Sequence, residues 1–177
     1  MIFCIIGLSC VGKSTVVDMI KEMYGIRGIK QYTTRSEREG KEEKDYIFVS
    51  EEEYNELEKK NRILATRKFE IECREYKYGI PNDISNKETY IMPIDPEGYL
   101  KLKNNIDNLV VILLTVDTMK LIERYKKRGG KNLEEFKIRM QKDQKEINKI
   151  KDEIGYFIEN NDISNSVIEI KKIILNS

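Results

Sequence analysis

A short apolar run near the first residue passes directly into a glycine-rich loop. Residues 2–6 read Ile-Phe-Cys-Ile-Ile, and residues 7–15 read Gly-Leu-Ser-Cys-Val-Gly-Lys-Ser-Thr. Apolar side chains then recur from Val16 to Met23 at the spacing of one helix face. A buried strand, a loop that matches G-x-x-x-x-G-K-[ST] and a helix are therefore predicted in immediate succession, which is the context that this loop pattern requires.

Each residue type in this loop has a separate physical role in holding phosphate. Gly7 and Gly12 permit backbone angles that a Cβ would forbid, so successive N–H groups can converge on phosphate oxygens at a helix N-terminus. Lys13 supplies positive charge to the β and γ phosphates of a nucleoside triphosphate, and the Ser14 hydroxyl can ligate Mg²⁺. The predicted phosphate-binding residues are Gly7, Ser9, Cys10, Val11, Gly12, Lys13, Ser14 and Thr15.

Apolar runs and helical patterns alternate along most of the remaining chain. The apolar runs cover residues 2–7, 89–94, 109–115 and 155–159, and the helical patterns cover residues 13–24, 96–104, 117–128 and 132–154. This alternation predicts an α/β fold, namely a three-layer P-loop fold with a parallel core sheet covered by helices. Residues 162–175 predict a closing helix, although residues 167–170 also fit a strand.

Two stretches interrupt this rhythm. Residues 31–80 are polar and rich in tyrosine and charge, with strand patterns at 46–49 and 63–69, and we predict an inserted subdomain there. At Gly129 and Gly130 one helix ends before another begins with Asn132 as its N-cap, which suits a mobile helical lid. The expected division is a single domain with a core of residues 1–30, 81–123 and 141–177, the insert 31–80, and a lid over 124–140.

Composition excludes several functional classes. The 32 Lys and Arg residues nearly balance the 31 Asp and Glu residues, so no global field favours nucleic acid or an anionic membrane. The absence of histidine excludes histidine-based acid–base chemistry and most zinc sites. The three cysteines, at positions 4, 10 and 73, follow no disulfide or metal spacing, and no apolar stretch approaches the ~20 residues of a membrane span. We expect a cytoplasmic protein that binds small molecules, with no protein partner evident.

Two arginines form a second anion-binding pattern. Arg35 and Arg38 stand three residues apart, and Tyr46 follows in the segment Asp-Tyr-Ile-Phe-Val-Ser at 45–50. Two guanidinium groups and a tyrosine hydroxyl can hold one terminal phosphate through paired donors that lysine cannot arrange. The chain is therefore expected to hold a second phosphate compound as well as a triphosphate.

These motifs together resemble those of the guanylate kinase family. Its pattern combines a phosphate loop, T-T-R-x-x-R-x-G, D-Y-x-F-V-S, a Y-G pair, a D-x-x-G turn after the third core strand, and R-x-x-x-R-G in the lid. The matching residues here are 7–15, 33–35 with Arg38 and Gly40, 45–50, 78–79, 95–98, Arg124 with 128–129, and Arg139. They keep their order from residue 2 to about residue 162, so the resemblance covers nearly the whole chain.

The resemblance implies an activity and a set of site residues. It implies a kinase that uses ATP with Mg²⁺, bound through the Ser14 hydroxyl, to phosphorylate a nucleoside monophosphate, by default GMP or dGMP. The residues implied to act in the transfer are Lys13, Arg35, Arg124, Arg128 and Arg139. Those implied to hold ATP are the phosphate-binding residues above with Arg124, Arg128 and Asn161. Those implied to hold the acceptor monophosphate are Gln31, Arg35, Arg38, Tyr46, Tyr78 and Asp95.

Departures from the family pattern cluster where the acceptor base is read. Gln31 stands where the family usually has serine, Ala65 where it has a guanine-reading glutamate, and Ile80 where it has Ser or Thr. Pro93 replaces the first aspartate of a D-x-D pair and leaves Asp95 alone. Removal of a buried polar partner costs about 1–3 kcal/mol, so the base preference is either weakened or changed.

Three functional hypotheses remain open from the sequence. The leading one is a nucleoside monophosphate kinase of the guanylate kinase type. The second is a P-loop kinase of the same fold that acts on another nucleoside monophosphate or on a phosphorylated sugar such as ribose bisphosphate, which Gln31, Ala65 and Ile80 motivate. The third is a non-catalytic guanylate kinase-like binding module, which the presence of Lys13 and Ser14 disfavours.

Overall fold

The computed structural model describes residues 1–37, 43–71 and 74–177, with side chains throughout except at residues 69–71. Its strands are β1 (Ile2–Gly7), β2 (Arg27–Gly28), β3 (Gln31–Thr33), β4 (Tyr46–Phe48), β5 (Ile63–Ile71), β6 (Arg74–Pro81), β7 (Tyr90–Pro93), β8 (Leu109–Thr115) and β9 (Ile154–Glu159). Its helices are α1 (Lys13–Tyr24), α2 (Glu51–Lys59), α3 (Pro96–Lys103), α4 (Thr118–Lys127), α5 (Leu133–Lys149) and α6 (Ile163–Asn176), with a 3-10 helix at Lys151–Glu153. Arg38, Gly40 and Cys73 lie outside the described residues.

A five-stranded parallel sheet with the order β2-β7-β1-β8-β9 forms the centre of the molecule. Strand β1 pairs with β7 on one side and with β8 on the other, and all of its residues are buried. A parallel strand buried on both faces needs a continuous apolar sequence, which residues 2–6 supply. The predicted parallel core sheet is confirmed.

Helices cover both faces of this sheet. Phe3 and Ile5 of β1 face one apolar cluster, in which α1, α4 and α6 bury side chains such as Val17 and Ile170. The alternate β1 residues face a second cluster, which includes Leu102 of α3 and Ile147 of α5. The layers are therefore helix, sheet and helix, as the α/β prediction required.

A second sheet with the order β4-β3-β6-β5 lies within the polar stretch that interrupts the core pattern. Strand β3 pairs in parallel with β4 and in antiparallel with β6, and β6 pairs in antiparallel with β5. Because side chains alternate between the two faces of a strand, register places a defined set on one face. This set includes Gln31, Tyr46, Ala65, Arg67, Tyr78 and Ile80.

The pattern-based element boundaries agree with the structure best in the buried core. The run 109–115 coincides with β8, and the closing segment is the helix α6, so the strand alternative for residues 167–170 is wrong. The predicted helix over 132–154 is too long: α5 ends at Lys149, because Ile154 must pair with Val111 in the core sheet. Asn132 is the N-cap of α5, as predicted, and its side chain accepts a hydrogen bond from the Glu135 N–H at 3.1 Å.

Periodicity missed helix α2 as well as strands β2, β3 and β6. Helix α2 has one buried side chain, Tyr54, so it offers almost no apolar stripe. Its sequence signal is a capping box: the Ser50 Oγ accepts from the Glu53 N–H at 3.1 Å, and Glu53 accepts from the Ser50 N–H at 2.7 Å. In the parts of the chain that the structure describes, no helix has the length and apolar character to cross a bilayer.

Truncation of Ile112 tests the central role of the core sheet. Ile112 is fully buried in β8 opposite Ile5, and its change to Ala should lower the free energy of unfolding by about 2–5 kcal/mol because a cavity remains. Ile168→Ala is the matched control, since Ile168 is 46% exposed on α6 and should change stability by about 0.5 kcal/mol or less. Urea titration of the wild-type protein and the two variants measures the free energies of unfolding. Equal unfolding midpoints for the wild-type protein and Ile112→Ala would contradict this packing.

Candidate active site

The phosphate loop follows the carboxyl end of β1, where parallel α/β sheets place their ligand sites. Gly7 and Gly12 have φ values of 151° and 108°, and Cys10, which is half-buried, has φ 68°. A Cβ on Gly7 would lie 2.5 Å from the Leu114 carbonyl oxygen, and one on Gly12 would lie 2.5 Å from the Asn160 Nδ2. Both positions therefore require glycine for space as well as for conformation.

Lys13 is the first residue of α1, and its ammonium group folds back over the loop. The Nζ donates to the carbonyl oxygens of Gly7 at 2.7 Å and Leu8 at 3.1 Å. The pKa of Lys13 is lowered from 10.5 to about 8, chiefly by burial; the nearby Arg139 acts in the same direction, while Asp143 and Asp95 act in the opposite direction. The lysine is thus a desolvated cation whose charge a bound phosphate would stabilise.

Asp143 of α5 occupies part of the phosphate loop, and sequence reasoning missed it. Its Oδ2 accepts hydrogen bonds from the Ser9 N–H at 3.1 Å and from the Ser9 Oγ at 3.0 Å. In a loop of this kind the backbone N–H groups are the donors for phosphate oxygens. The carboxylate therefore takes a position suited to a phosphate oxygen, and it ties α5 to the loop.

Arg124 and Asn160 hold the loop from the side of β9. The Arg124 Nη1 donates to the Val11 carbonyl oxygen at 2.7 Å, and its Nη2 donates to the Asn160 carbonyl oxygen at 3.0 Å. The buried Asn160 amide also donates to the Val11 oxygen, at 2.8 Å, and accepts from the Ser166 hydroxyl at 2.9 Å. Arg124 thus contacts the loop backbone, and Asn160 is a supporting residue that the sequence analysis did not identify.

Arg35 lies at the centre of a polar and aromatic cluster on the second sheet. Its Nη2 donates to both carboxylate oxygens of Glu43, at 3.0 and 2.9 Å, and its Nε donates to the Tyr78 hydroxyl at 3.1 Å. The guanidinium carbon also lies 5.6 Å from the ring centroids of Tyr46 and Phe48. Burial raises the pKa of Tyr46 to about 12, so its hydroxyl stays a protonated donor at neutral pH.

A cleft of about 170 Å³ joins the phosphate loop to the second sheet. The lining includes Gly7, Ser9, Lys13 and Ser14 from the loop, Gln31, Tyr46, Ala65, Arg67, Tyr78 and Ile80 from the second sheet, and Pro93 of β7, Asp95 at the start of α3, and Arg139 and Asp143 of α5. Arg35 is buried and reaches this wall through its bond to Tyr78. The structure therefore brings Lys13, Ser14, Arg139 and the tyrosines together around one space.

Other sequence-predicted residues lie away from the cleft. Arg128 is exposed at the end of α4, and Asn161 is exposed, with its Oδ1 accepting from the Lys120 Nζ at 2.8 Å. Val11 is buried, and Thr15 is exposed on the first turn of α1. Arg38 cannot be located, because it falls outside the described residues.

Gln31 and Asp95, which lie on the cleft wall, are both held by neighbours. The buried Gln31 donates from Nε2 to the Pro93 carbonyl oxygen at 3.2 Å. Asp95 is the N-cap of α3, with its Oδ1 accepting from the Gly98 N–H at 2.9 Å, and it also forms an ion pair with Arg67. Both residues line the cleft, as does Arg67, which the sequence analysis did not single out.

The chemistry of the donor set favours a cation that shares its ligands with substrate. Within residues 1–37, 43–71 and 74–177, no three His, Cys, Asp or Glu side chains group as a metal cage. Mg²⁺ is normally held by one or two protein groups together with substrate phosphates, so a cage is not required for it. The exposed Ser14 hydroxyl in the cleft, with the Asp143 and Asp95 carboxylates on the same lining, fits that role.

A phosphate loop at the end of a central parallel strand, facing an arginine–tyrosine cluster on a second sheet, defines a kinase of the P-loop fold. The chain belongs to the guanylate kinase family, whose model, described as guanylate kinase, matches residues 2–177.

Individual relatives agree with this assignment. The guanylate kinase of Mycoplasma mobile is 30% identical over 179 residues, which cover 95% of this chain and 89% of the relative. That of Malacoplasma penetrans is 30% identical over 184 residues, covering 98% and 91%. A crystal structure of guanylate kinase from Anaplasma phagocytophilum aligns with a TM-score of 0.72 and 24% identity, over 98% of this chain and 83% of that one, and supports the fold.

Removal of the Asp143 carboxylate should strengthen binding of polyphosphate to the loop. In Asp143→Ala the Ser9 N–H is released and one negative charge leaves the site, so the affinity for inorganic tripolyphosphate should rise about tenfold. Calorimetry at about pH 6.5 measures this, because Lys13 then stays protonated in both proteins. Asp152→Ala removes the same charge from an exposed site and should leave the affinity unchanged. Unchanged or weaker binding by Asp143→Ala would contradict a competing carboxylate.

Proposed function

We propose that this chain transfers the γ-phosphoryl group of ATP to the phosphate of GMP or dGMP, releasing ADP and the corresponding diphosphate. The observation that carries the proposal is the single cleft that contains both the lysine-bearing loop and the tyrosines bonded to or packed on Arg35. Relatives named guanylate kinases, at 30% identity and over 95–98% of the chain, support the same acceptor.

The acceptor phosphate needs no general base. A nucleoside monophosphate is largely anionic at pH 7, so its oxygen is already a nucleophile, and the absence of histidine is no obstacle. Catalysis then consists of bringing two polyanions together in line and neutralising the charge of the transferred group. This is the chemistry that lysine and arginine side chains support.

The donor and acceptor phosphates are assigned to opposite walls of the cleft. On the donor side, the loop N–H groups and the Lys13 ammonium would bind the β and γ phosphates, after Asp143 leaves Ser9. On the acceptor side, the hydroxyls of Tyr46 and Tyr78, the Arg35 guanidinium and Arg38 would hold the monophosphate. The Ser14 hydroxyl would hold Mg²⁺, which supplies neutralisation of phosphate charge when bound.

Closure of an insert and a lid over the bound pair would exclude water from the transferring group. We assign the insert to residues 31–80 and the lid to residues 124–140, around a core of the remaining chain. Arg139 already lines the cleft, whereas Arg128 is exposed and would reach the donor phosphates on closure of the lid. Arg124 would hold the loop in place through Val11, and Asn161 would lie near the donor base.

A second candidate acceptor follows from the acceptor end of the cleft. Gln31, Ala65 and Ile80, the three departures from the family pattern, all line this cleft. They favour a P-loop kinase for another nucleoside monophosphate or for a phosphorylated sugar. A coupled assay of ADP release with GMP, dGMP, AMP, CMP, UMP, dTMP and ribose bisphosphate separates the two: selective turnover of GMP or dGMP supports the proposal, and inactivity on both overturns it.

Substitution of Lys13 tests the donor site. Lys13→Ala should lower kcat by at least two orders of magnitude, because the charge that follows the transferred phosphoryl group is lost. Lys172→Ala removes the same charge from an exposed position on α6 and should retain full activity. Circular dichroism and thermal melting establish that both variants fold, and near-normal turnover by a folded Lys13→Ala protein would refute the role of this lysine.

The lowered pKa of Lys13 predicts a pH dependence of ATP binding. Burial favours the neutral amine above about pH 8, whereas bound phosphate favours the ammonium form, so binding at higher pH must take up a proton. The Kd for ATP should therefore rise about tenfold from pH 7.5 to pH 9. Lys13→Arg keeps its charge over this range and should show a nearly flat profile. Calorimetry in buffers of different ionisation enthalpy measures the proton uptake, and parallel profiles for the two proteins would contradict the assignment.

A further inference from the structure

The acceptor end of the cleft has apolar walls and a charged pair, and Lys101 of α3 also lines the cleft. Its apolar lining includes Ala65, Ile80 and Pro93, and its charged pair is Arg67 with Asp95. A planar ring fits between apolar walls. A charged pair at the end of the cleft can form hydrogen bonds with the polar edge of that ring. The chemistry of this pair therefore decides which acceptor base the cleft prefers.

Arg67 projects from the same sheet face as Ala65. The two residues are two positions apart on β5, and their register partners on β6 are Tyr78 and Ile80, which also line the cleft. The carboxylate that the family pattern places at position 65 is absent, and a guanidinium stands one side-chain repeat further along the strand. The polar group of this wall has thus changed from an acceptor to a donor.

Neighbouring groups fix both members of the pair. The Arg67 Nη1 donates to the Asp95 Oδ2, and the Arg67 Nε lies 3.5 Å from Glu97 Oε2. The other Asp95 oxygen is tied to the N-terminus of α3 through Gly98. The side chains are nevertheless 19% and 35% exposed, so both are held in place and accessible from the cleft. Fixed and accessible polar groups are the requirement for discrimination between ligands.

The pair presents donors beside acceptors. A guanidinium only donates and a carboxylate only accepts. Guanine has a matching edge, because its N7 and O6 acceptors are followed around the ring by the N1–H and N2–H₂ donors. Adenine alternates between N7 acceptor, N6–H₂ donor and N1 acceptor, so it does not match a block of donors beside a block of acceptors.

We propose that Arg67 is a specificity-determining residue that donates to O6 and N7 of an acceptor guanine, while Asp95 accepts from its N1–H and N2–H₂. The pair thereby supplies the base recognition that position 65 no longer provides. This inference rests on the proposed phosphorylation of GMP or dGMP and assigns the reading of the base to a residue outside the family pattern.

Analogues that lack one base atom test this assignment. The values of kcat/KM are measured for GMP, 7-deaza-GMP and IMP with the wild-type protein and with Arg67→Ala. Arg67→Ala should lower kcat/KM for GMP about tenfold to a hundredfold, the range expected for a bidentate arginine–guanine contact. The wild-type protein should discriminate against 7-deaza-GMP several-fold, and Arg67→Ala should not. The penalty for IMP, which lacks N2, should persist in Arg67→Ala because that group faces Asp95.

Two further variants separate base reading from a structural role. Lys68→Ala removes the adjacent cation, which is 59% exposed and paired with Glu75 at 2.9 Å, and should behave as wild type. Arg67→Lys keeps a cation near Asp95 but not the planar fork, so it should lose discrimination against 7-deaza-GMP while thermal melting shows an intact fold.

Distinct results would overturn the inference and the function beneath it. The inference is wrong if Arg67→Ala and Arg67→Lys still discriminate against 7-deaza-GMP. It is also wrong if Arg67→Ala lowers kcat/KM equally for GMP and 7-deaza-GMP. In either case Arg67 only connects β5 to α3. If the wild-type protein turns over neither GMP nor dGMP, the proposed function itself fails.

Discussion

The position of β1 between β7 and β8 is the constraint on which the site depends. Strand β1 is hydrogen-bonded on both edges and buried on both faces. The loop that follows it must therefore begin at the carboxyl end of this strand, at Gly7. The carbonyl oxygen of Leu114 lies so close there that no Cβ fits, and the loop must turn back toward α1. Arg124 and Asn160 then bind the Val11 carbonyl oxygen and fix the far side of the turn. A loop whose backbone is held at both ends keeps its N–H groups directed at one point, which is what phosphate binding requires.

Cations of the cleft that would meet phosphate are balanced by carboxylates in the protein alone. Glu43 holds Arg35, and Asp143 occupies the donors of Ser9 beside Lys13. Desolvated cations that lack a counter-charge are costly, and the lowered pKa of Lys13 reflects that cost. A phosphate group would then replace a carboxylate rather than enter a positive site that lacks a counter-charge. The affinity for phosphate therefore depends on how much more strongly the site binds phosphate than it binds the carboxylate.

Much of the core could be predicted because its signals are local. Residues 109–114 are all apolar, which is typical of a strand buried on both faces, and the loop pattern identifies Lys13 by spacing alone. Apolar periodicity did not reveal helix α2, because only Tyr54 is buried there. The sequence did not identify Asp143 as a site residue, because its contact with Ser9 spans 134 positions in the chain. Arg67 is one of several charged residues in β5, so its sequence context does not distinguish it. The register of β5 with β6 shows that it lies on the face that lines the cleft.

The sequence by itself determined the parallel core, the phosphate loop and the family, since each depends on residue types at short and fixed spacings. The tertiary structure alone decided which partners the charged groups find: Ser9 for Asp143, Arg35 for Glu43, and Asp95 for Arg67 at the end of the cleft. The physical reason is that electrostatic partners are chosen by distance in space, and a chain with 36% charged residues contains many more possible pairs than the folded protein forms. The acceptor base preference belongs to this second category, because it depends on the side chains that two different sheets and one helix N-terminus bring to the same cleft.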